Sequence, residues 1–264
     1  MKRRLLLVAA ALLCPAAALW ADETPQAAVE LLAGGAKTPA ALNAGMAAGD
    51  VLRACRAMLP AHPVELKGSL VQRSRKGIVA RAYDYRLALR RGADVSLLSV
   101  HLTPRGETNA LAVVTVSRRP GARPVIRLAK AGAAEAEVVA SPLARVLETD
   151  VTWLDLTFDF LWWPHAAYEA DREGESVHGQ TCVVILVKPD VAVDGLSAVR
   201  LWVDKKTGCL MQAEQVDASG KPLRRLWGTR VKKMDGRGMV SALEVETPGA
   251  RQRTKITVDA LRDL

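Results

Sequence analysis

The sequence is poor in cysteine and in aromatic residues, and it has only one long apolar run. Four cysteines in 264 residues are too few for a disulfide scaffold, and none shows the CxxC spacing of a zinc site. Aromatic residues make up only 4% of the chain, so their positions carry information. No apolar run after the N-terminus could span a membrane. Half of the residues are apolar and 25% are charged, a globular composition that excludes a disordered chain.

Enzyme signatures are also missing. The chain contains no HExxH zinc motif, no GxSxG nucleophile elbow, no P-loop and no GxGxxG loop. Asp155 and Asp159 are four residues apart and would share one face of a helix, an arrangement that suits an acid/base pair. Acids on the polar side of an amphipathic helix are far commoner. We therefore expect a protein that is not an enzyme and that has no metal site and no cofactor.

The first 21 residues have the pattern of a cleaved export signal. Three basic residues at positions 2–4 precede an apolar run at 5–13, and small residues allow cleavage after Ala18 or Ala21. Loss of the three basic residues lowers the formal net charge from +9 to +6. That charge is too small and too dispersed for a nucleic-acid-binding protein. We predict a periplasmic protein that does not bind nucleic acid.

The cysteines allow two arrangements after export. Cys55, Cys182 and Cys209 remain once the signal that contains Cys14 is removed. An exported protein can hold one disulfide and one free thiol, or three buried thiols that act as small apolar residues. The sequence leaves both arrangements open.

The rest of the chain is typical of one mainly β domain with a few helices. Residues 22–45 form an Ala- and Pro-rich leader, and residues 46–264 form the predicted domain. A helix is predicted at 50–59, where Pro60 ends it. Alternating or mostly apolar segments separated by Gly-containing turns predict about eleven antiparallel strands. These strands are expected at 64–73, 78–89, 95–102, 110–116, 125–128, 178–187, 198–203, 210–216, 222–232, 239–246 and 252–258.

An aromatic segment at residues 153–163 separates the two sets of strands. It holds both Phe residues and three of the six Trp residues of the chain. Thr152 followed by Asp155 resembles a helix N-cap, and Pro164 would end a helix that begins there, so one or two helical turns are predicted. The segment either fills the apolar face of the sheet or lines and covers a ligand cavity there. The candidate cavity or lid residues are Trp153, Leu156, Phe158, Phe160, Trp162 and Trp163.

Five stretches carry a resemblance to a known family. They are 148–156 (ETDVTWLDL), 178–186 (HGQTCVVIL), 200–208 (RLWVDKKTG), 212–221 (QAEQVDASGK) and 255–259 (KITVD). In this order they resemble the outer-membrane lipoprotein-sorting proteins of the LolA/LolB-like superfamily. The resemblance covers residues 145–260, whereas residues 46–144 are similar only in the order of their predicted elements.

The resemblance implies a LolA-like fold and a function. Such proteins have a curved antiparallel sheet, an incomplete barrel of about eleven strands, with helices covering its concave face. The apolar hollow accepts acyl chains, which cost about 0.8 kcal/mol per CH₂ to leave in water. We expect a periplasmic carrier or chaperone for acyl chains of lipids or lipoproteins, with inner- or outer-membrane transport proteins as further partners. The alternative is a non-transporting envelope sensor or protein-interaction module on the same fold.

Overall fold

The computed structural model describes residue 42 and residues 45–60, 62–91, 96–119, 122, 124–193, 195–234 and 237–264. The predicted export signal and most of the predicted leader lie outside these ranges. The chain divides into two compact units. Unit 1 comprises Pro60–Thr157 and Arg251–Leu264, and unit 2 comprises the described residues up to Leu59 together with Phe158–Ala250. The assignment of residues 46–264 to one domain stays a prediction.

The described residues contain two α-helices, two short 3₁₀ helices and fourteen strands. The helices are α1 (Ala48–Ala57) and α2 (Trp153–Thr157), and the 3₁₀ helices are Asp159–Trp162 and Ala170–Arg172. The strands are β1 (Val64–Ser74), β2 (Val79–Arg91), β3 (Ser96–Pro104), β4 (Ala112–Arg118), β5 (Val125–Lys130), β6 (Glu137–Val138), β7 (His165–Tyr168), β8 (Ser176–Val177), β9 (Gln180–Lys188), β10 (Ala198–Asp204), β11 (Leu210–Val216), β12 (Pro222–Met234), β13 (Arg237–Glu246) and β14 (Gln252–Asp263).

The prediction of antiparallel β architecture is confirmed, but the number of strands was wrong. Each of the eleven predicted strands is present, with ends that move by a few residues. The three additional strands, β6, β7 and β8, have only two to four residues each. Segments that short cannot show a repeat of alternating side chains, so pairing with a neighbour defines them instead.

The seven strands of unit 1 are antiparallel and follow the order β6-β5-β4-β3-β2-β1-β14. Their apolar face follows from period-two alternation, as in β4, where Ala112, Val114 and Val116 are buried. Strand β14 comes from the C-terminal end of the chain and pairs with β1. The sheet therefore brings residues near 70 and residues near 255 side by side.

The β1–β14 pairing contains a bulge at Gly68 that only glycine fits. The register shifts between Lys67 and Gly68, and the Tyr85 hydroxyl donates a 2.7 Å hydrogen bond to the Thr257 carbonyl across this point. A Cβ atom on Gly68 would lie 1.8 Å from that carbonyl oxygen and 2.6 Å from the Tyr85 hydroxyl oxygen. The close approach of ring and backbone therefore depends on the missing side chain.

The main strands of unit 2 are antiparallel and follow the order β13-β12-β11-β10-β9-β7, and β8 also pairs with β9. The turn between β8 and β9 consists of His178 and Gly179, both at positive φ (52° and 76°), as a two-residue type I′ turn requires. Every residue of β10 is buried, so both faces of this strand are covered. Its central position makes β10 the core strand of the unit.

Helix α1 covers part of unit 2 with one apolar face. Val51, Leu52 and Cys55 are buried on this face, and the Cys55 thiol donates a 3.4 Å hydrogen bond to the Gly208 carbonyl. Burial raises the pKa of Cys55 to about 12, and burial likewise raises that of Cys182 to about 12. Both are free thiols, so no disulfide joins these two residues.

Candidate functional site

A buried carboxylate, Asp150, precedes the aromatic segment and is anchored to the strands of unit 1. Asp150 is only 4% exposed, and it accepts a 3.1 Å hydrogen bond from the Gln72 side-chain amide and a 3.3 Å bond from the Thr254 hydroxyl. Gln72 lies on β1 and Thr254 on β14, two adjacent strands. A buried carboxylate is tolerated only where such donors satisfy it. The anchor therefore fixes where the segment leaves the sheet.

The loop before this anchor has an unusual backbone. Leu147 and Glu148 both have positive φ (45° and 59°), a conformation that non-glycine residues rarely adopt. Arg81 holds the loop from β2, because its guanidinium donates a 2.9 Å hydrogen bond to Glu148 and a 3.1 Å bond to Gln72. The Tyr83 hydroxyl donates to the Leu147 carbonyl. Side chains from the β1–β2 pair thus hold the loop in its left-handed conformation.

A capping box starts helix α2, where the sequence predicts a helix N-cap at Thr152. The Thr152 backbone N–H donates a 2.8 Å hydrogen bond to the Asp155 carboxylate, and the Asp155 N–H donates a 3.3 Å bond to the Thr152 hydroxyl. The Thr152 hydroxyl also donates to the same carboxylate at 2.9 Å. These reciprocal bonds satisfy the free N–H groups of the first turn. Asp155 is therefore a structural cap.

Loss of this cap is expected to destabilise the start of the segment. Replacing Thr152 by valine keeps the side-chain shape but removes the hydroxyl, and should lower the free energy of unfolding by about 1–2 kcal/mol. Urea unfolding followed by tryptophan fluorescence measures the change. Thr103→Val is the matched control, because Thr103 is half-buried on β3. We expect it to stay within about 0.5 kcal/mol of the wild type; equal losses for both variants would contradict a specific capping role.

The second half of the segment lies in unit 2 and starts with a strained residue. Phe158 has φ 49° and ψ 34°, in the left-handed region, and precedes the 3₁₀ helix Asp159–Trp162. Its ring lies 5.5 Å from the ring of Phe160, measured between centroids. The Trp163 indole N–H donates a 3.4 Å hydrogen bond to Asp159. Asp159 therefore has a structural partner of its own, and the 3₁₀ helix packs against α1 and β9.

The structure buries five of the six predicted site residues. Trp153, Leu156, Phe158 and Phe160 are each no more than 2% exposed, whereas Trp163 is 8% exposed. The sixth, Trp162, is half-buried. Trp153 and Leu156 belong to unit 1, and the other four belong to unit 2, where their backbone bonds and the Phe158–Phe160 contact bring them together. Their role in ligand binding stays a prediction.

Sequence reasoning missed the side chains that hold the segment in place. Gln72, Arg81 and Thr254 contact the 148–150 loop from distant strands, and no local motif marks them. One signal was available for Gln72. It follows Leu70 by two residues on β1 and therefore shares its face, where a polar side chain needs a buried partner.

Unit 2 also has a polar cavity of about 480 Å³ on β10, β11 and β12. Arg200, 7% exposed, bonds both oxygens of Glu169, and its third nitrogen donates a 3.3 Å bond to Glu214. The hydrogen bonds that Arg200 donates to Glu169 hold the pKa of Arg200 above its ordinary value. Arg225 donates a 2.8 Å bond to Glu214. Because these guanidinium groups already bond carboxylates, the network is structural.

A second set of polar contacts continues the same network around Trp202. Its indole N–H donates a 2.7 Å hydrogen bond to Glu175, which also accepts a 2.8 Å bond from Arg172. The Arg200 guanidinium lies 5.9 Å from the centre of the Trp202 ring, within the range of a cation–π contact. The RLWVD stretch thus supplies both the central arginine and the tryptophan of this network.

Comparison with known sequences gives a partial match. A family model described only as "Uncharacterized protein" matches residues 141–262, close to the region where the sequence resemblance is strongest. No curated protein matches the chain.

Solved structures give a clearer result. A DUF1329 family protein from Desulfovibrio piger has a TM-score of 0.69 at 16% identity, covering 82% of this chain and 91% of that one. An outer membrane lipoprotein-sorting protein domain from Vibrio parahaemolyticus has a TM-score of 0.71 at 12% identity, covering 82% and 92%. A LolA superfamily protein from Nitrosomonas europaea has a TM-score of 0.65 at 15% identity, covering 83% and 96%. The chain has a LolA-like fold.

The LolA-like fold was expected from the sequence, and the structural neighbours confirm it. Within the described ranges, no helix is long and apolar enough to cross a membrane. In the same part of the chain, no group of three or more His, Cys, Asp or Glu side chains could hold a metal ion.

Proposed function

We propose that the protein is a periplasmic carrier or chaperone that binds acyl chains of lipids or lipoproteins through the aromatic segment at 153–163. The observation that carries the proposal is the concentration of six large apolar side chains in this one segment of a LolA-like fold. The name of the neighbour from Vibrio parahaemolyticus, which describes lipoprotein sorting, supports the same class of function. Inner- or outer-membrane transport proteins would donate and accept the cargo.

The construction of the segment suits a displaceable cover. It consists of a five-residue helix and a four-residue 3₁₀ helix, joined at the strained Phe158. Helices this short are not stable by themselves and depend on packing. An acyl chain that replaces this packing offers the aromatic side chains equivalent apolar contacts, so exchange has a small net cost. The polar anchor at Asp150 would keep the start of the segment in place during the exchange.

The first test removes the most accessible aromatic side chain of the segment. Trp162 is half-buried, and replacing it by serine should weaken binding of a fluorescent fatty acid about tenfold, because a large apolar contact is lost. Trp227→Ser is the matched control, since Trp227 is also half-buried in unit 2 but lies on β12. Titration of each purified variant measures the affinity. The proposal is wrong if wild-type protein does not bind the probe or if both variants bind it equally well.

A second measurement identifies the cargo class. Native mass spectrometry of protein purified without detergent should show lipid-sized adducts that disappear after extraction with organic solvent. The adduct masses distinguish free fatty acids, phospholipids and acylated peptides. A mass that stays that of the bare protein when lipids and acylated peptides are added would contradict the carrier function.

The burial of five of the six side chains favours one alternative. If the segment fills the apolar face permanently, no space remains there for an acyl chain. The protein would then be a non-transporting envelope sensor or protein-interaction module. Such a protein should bind a membrane or periplasmic partner saturably, and Trp162→Ser should leave that binding unchanged. A loss of fatty-acid binding in this variant favours the carrier instead.

A further inference from the structure

The turn between β1 and β2 exposes two adjacent apolar side chains. Ile78 is 66% exposed and Val79 is 50% exposed, in a chain where most large apolar residues of the strands are buried. The turn itself is well defined. The Ser74 N–H donates a 2.9 Å hydrogen bond to the Ile78 carbonyl, and Gly77 has φ 81° and donates to the Ser74 carbonyl at 2.9 Å. The fold therefore presents both side chains to solvent on a fixed turn.

Exposed basic residues surround this apolar pair. Arg73, Arg75 and Lys76 lie on the β1 side, and Arg251 and Arg253 lie on the neighbouring β14 side. The Arg75 N–H donates a 2.9 Å hydrogen bond to the Arg251 carbonyl, which places the two segments side by side. Neither 73–83 nor 251–258 contains an acidic residue. We call the five basic residues together with Ile78 and Val79 the basic tip.

The basic tip gathers positive charge from two adjacent strands. Arg73 on β1 lies directly opposite Arg253 on β14. An apolar pair within a basic cluster has the composition of a surface that binds at an anionic membrane interface.

We propose that the basic tip docks unit 1 on the surface of an anionic lipid bilayer. Ile78 and Val79 enter the headgroup region, while the arginine and lysine side chains bind lipid phosphates. Charge complementarity selects this partner, since the excess of basic over acidic residues in these two segments suits a surface that is uniformly negative. The inference goes beyond the proposed function and does not depend on it.

The basic tip is directly connected to the start of the aromatic segment. Gln72 and Arg81 are the strand residues next to the tip, and they bond Asp150 and Glu148 respectively. Docking would therefore bring the anchored end of the segment to the lipid surface.

The test measures partition of the full chain onto lipid vesicles. Sedimentation with vesicles of phosphatidylcholine alone and of phosphatidylcholine mixed with phosphatidylglycerol gives the two partition coefficients. Wild-type protein should prefer the anionic vesicles, and added salt should weaken the preference. Each cation near an anionic bilayer contributes about fivefold, so Arg75→Gln with Lys76→Gln should lower the anionic partition coefficient about 30-fold. Ile78→Ser with Val79→Ser should lower it about tenfold.

Two control variants in unit 1 carry the same chemical changes away from the tip. Arg119→Gln with Arg127→Gln removes two exposed charges near β4 and β5, and Val125→Ser with Val138→Ser removes two exposed apolar side chains on β5 and β6. Both controls should bind within about threefold of the wild type. Equal losses in tip and control variants, or equal wild-type binding to both vesicle types, would overturn the proposal.

Two further measurements separate a loss of vesicle binding from unfolding and from a loss of fatty-acid binding. Thermal unfolding should show that every variant is folded, as expected for substitutions of exposed residues. Fatty-acid binding without vesicles should be unchanged in the tip variants. A chain that binds anionic vesicles through the tip but no fatty acid would contradict the proposed function and leave the docking surface intact.

Discussion

Replacing Arg200 by methionine is expected to lower the free energy of unfolding by about 3–5 kcal/mol. The substitution keeps much of the apolar stem but removes a guanidinium that is 7% exposed and bonds two carboxylates. Glu169 and Glu214, 17% and 5% exposed, then lose a charged partner in an environment with little water. Glu214 keeps its bond from Arg225, so the larger loss of compensation is at Glu169. An uncompensated buried charge is far more costly than a lost surface ion pair. Urea unfolding of wild type and variant measures the difference.

The control for this prediction lies in the same network. Arg225 bonds Glu214 from the rim and is 40% exposed, so Arg225→Gln should lower stability by about 1 kcal/mol or less. Combining Arg200→Met with Glu169→Gln should recover part of the loss, because one of the stranded charges is removed. A double variant as unstable as the Arg200→Met single variant would show that the loss comes from packing rather than from charge.

Replacing Gly68 by alanine is expected to lower the free energy of unfolding by at least about 3 kcal/mol. The new Cβ would lie 1.8 Å from the Thr257 carbonyl oxygen, which is backbone and cannot turn away as a flexible side chain can. Relief of this clash requires β1 and β14 to separate at the bulge, and the Tyr85–Thr257 hydrogen bond is lost with it. Thermal unfolding followed by circular dichroism measures the effect.

Gly49 provides the matched control for Gly68. It lies in helix α1, where an added Cβ meets only the end of the Arg53 side chain at 4.0 Å. Gly49→Ala should raise stability by up to about 1 kcal/mol, because alanine favours the helix. A Gly68→Ala variant as stable as Gly49→Ala would show that the sheet can shift at little cost.

Local signals in the sequence predicted most of the secondary structure. Strand β4 alternates buried and half-buried side chains, and β9 has a continuous apolar run at 182–187, so each pattern is long enough to indicate a strand. The Thr152–Asp155 pair predicted the capping box, because both partners lie within one turn. The left-handed Phe158 could not be predicted, since an aromatic residue adopts that conformation only when surrounding packing enforces it.

The polar anchors of the site depend on contacts between distant parts of the chain. Asp150 bonds Gln72, 78 residues away, and Thr254, 104 residues away. Sequence patterns that repeat every two to four residues do not specify hydrogen-bond partners so far apart in the chain. The basic tip was missed for the same reason, because its two basic segments, near 75 and near 251, become neighbours only when β14 pairs with β1.

The sequence by itself determined the antiparallel strands, their Gly-containing turns, the capped helical turn and the concentration of aromatic residues in one segment. Each of these is set by interactions between residues a few positions apart. Only the tertiary structure decided which polar side chains hold that segment, how far each aromatic ring is buried, and where exposed charge and apolar surface coincide. The physical reason is that burial and charge neighbourhoods arise from strand pairing across the chain, which short-range sequence patterns do not contain.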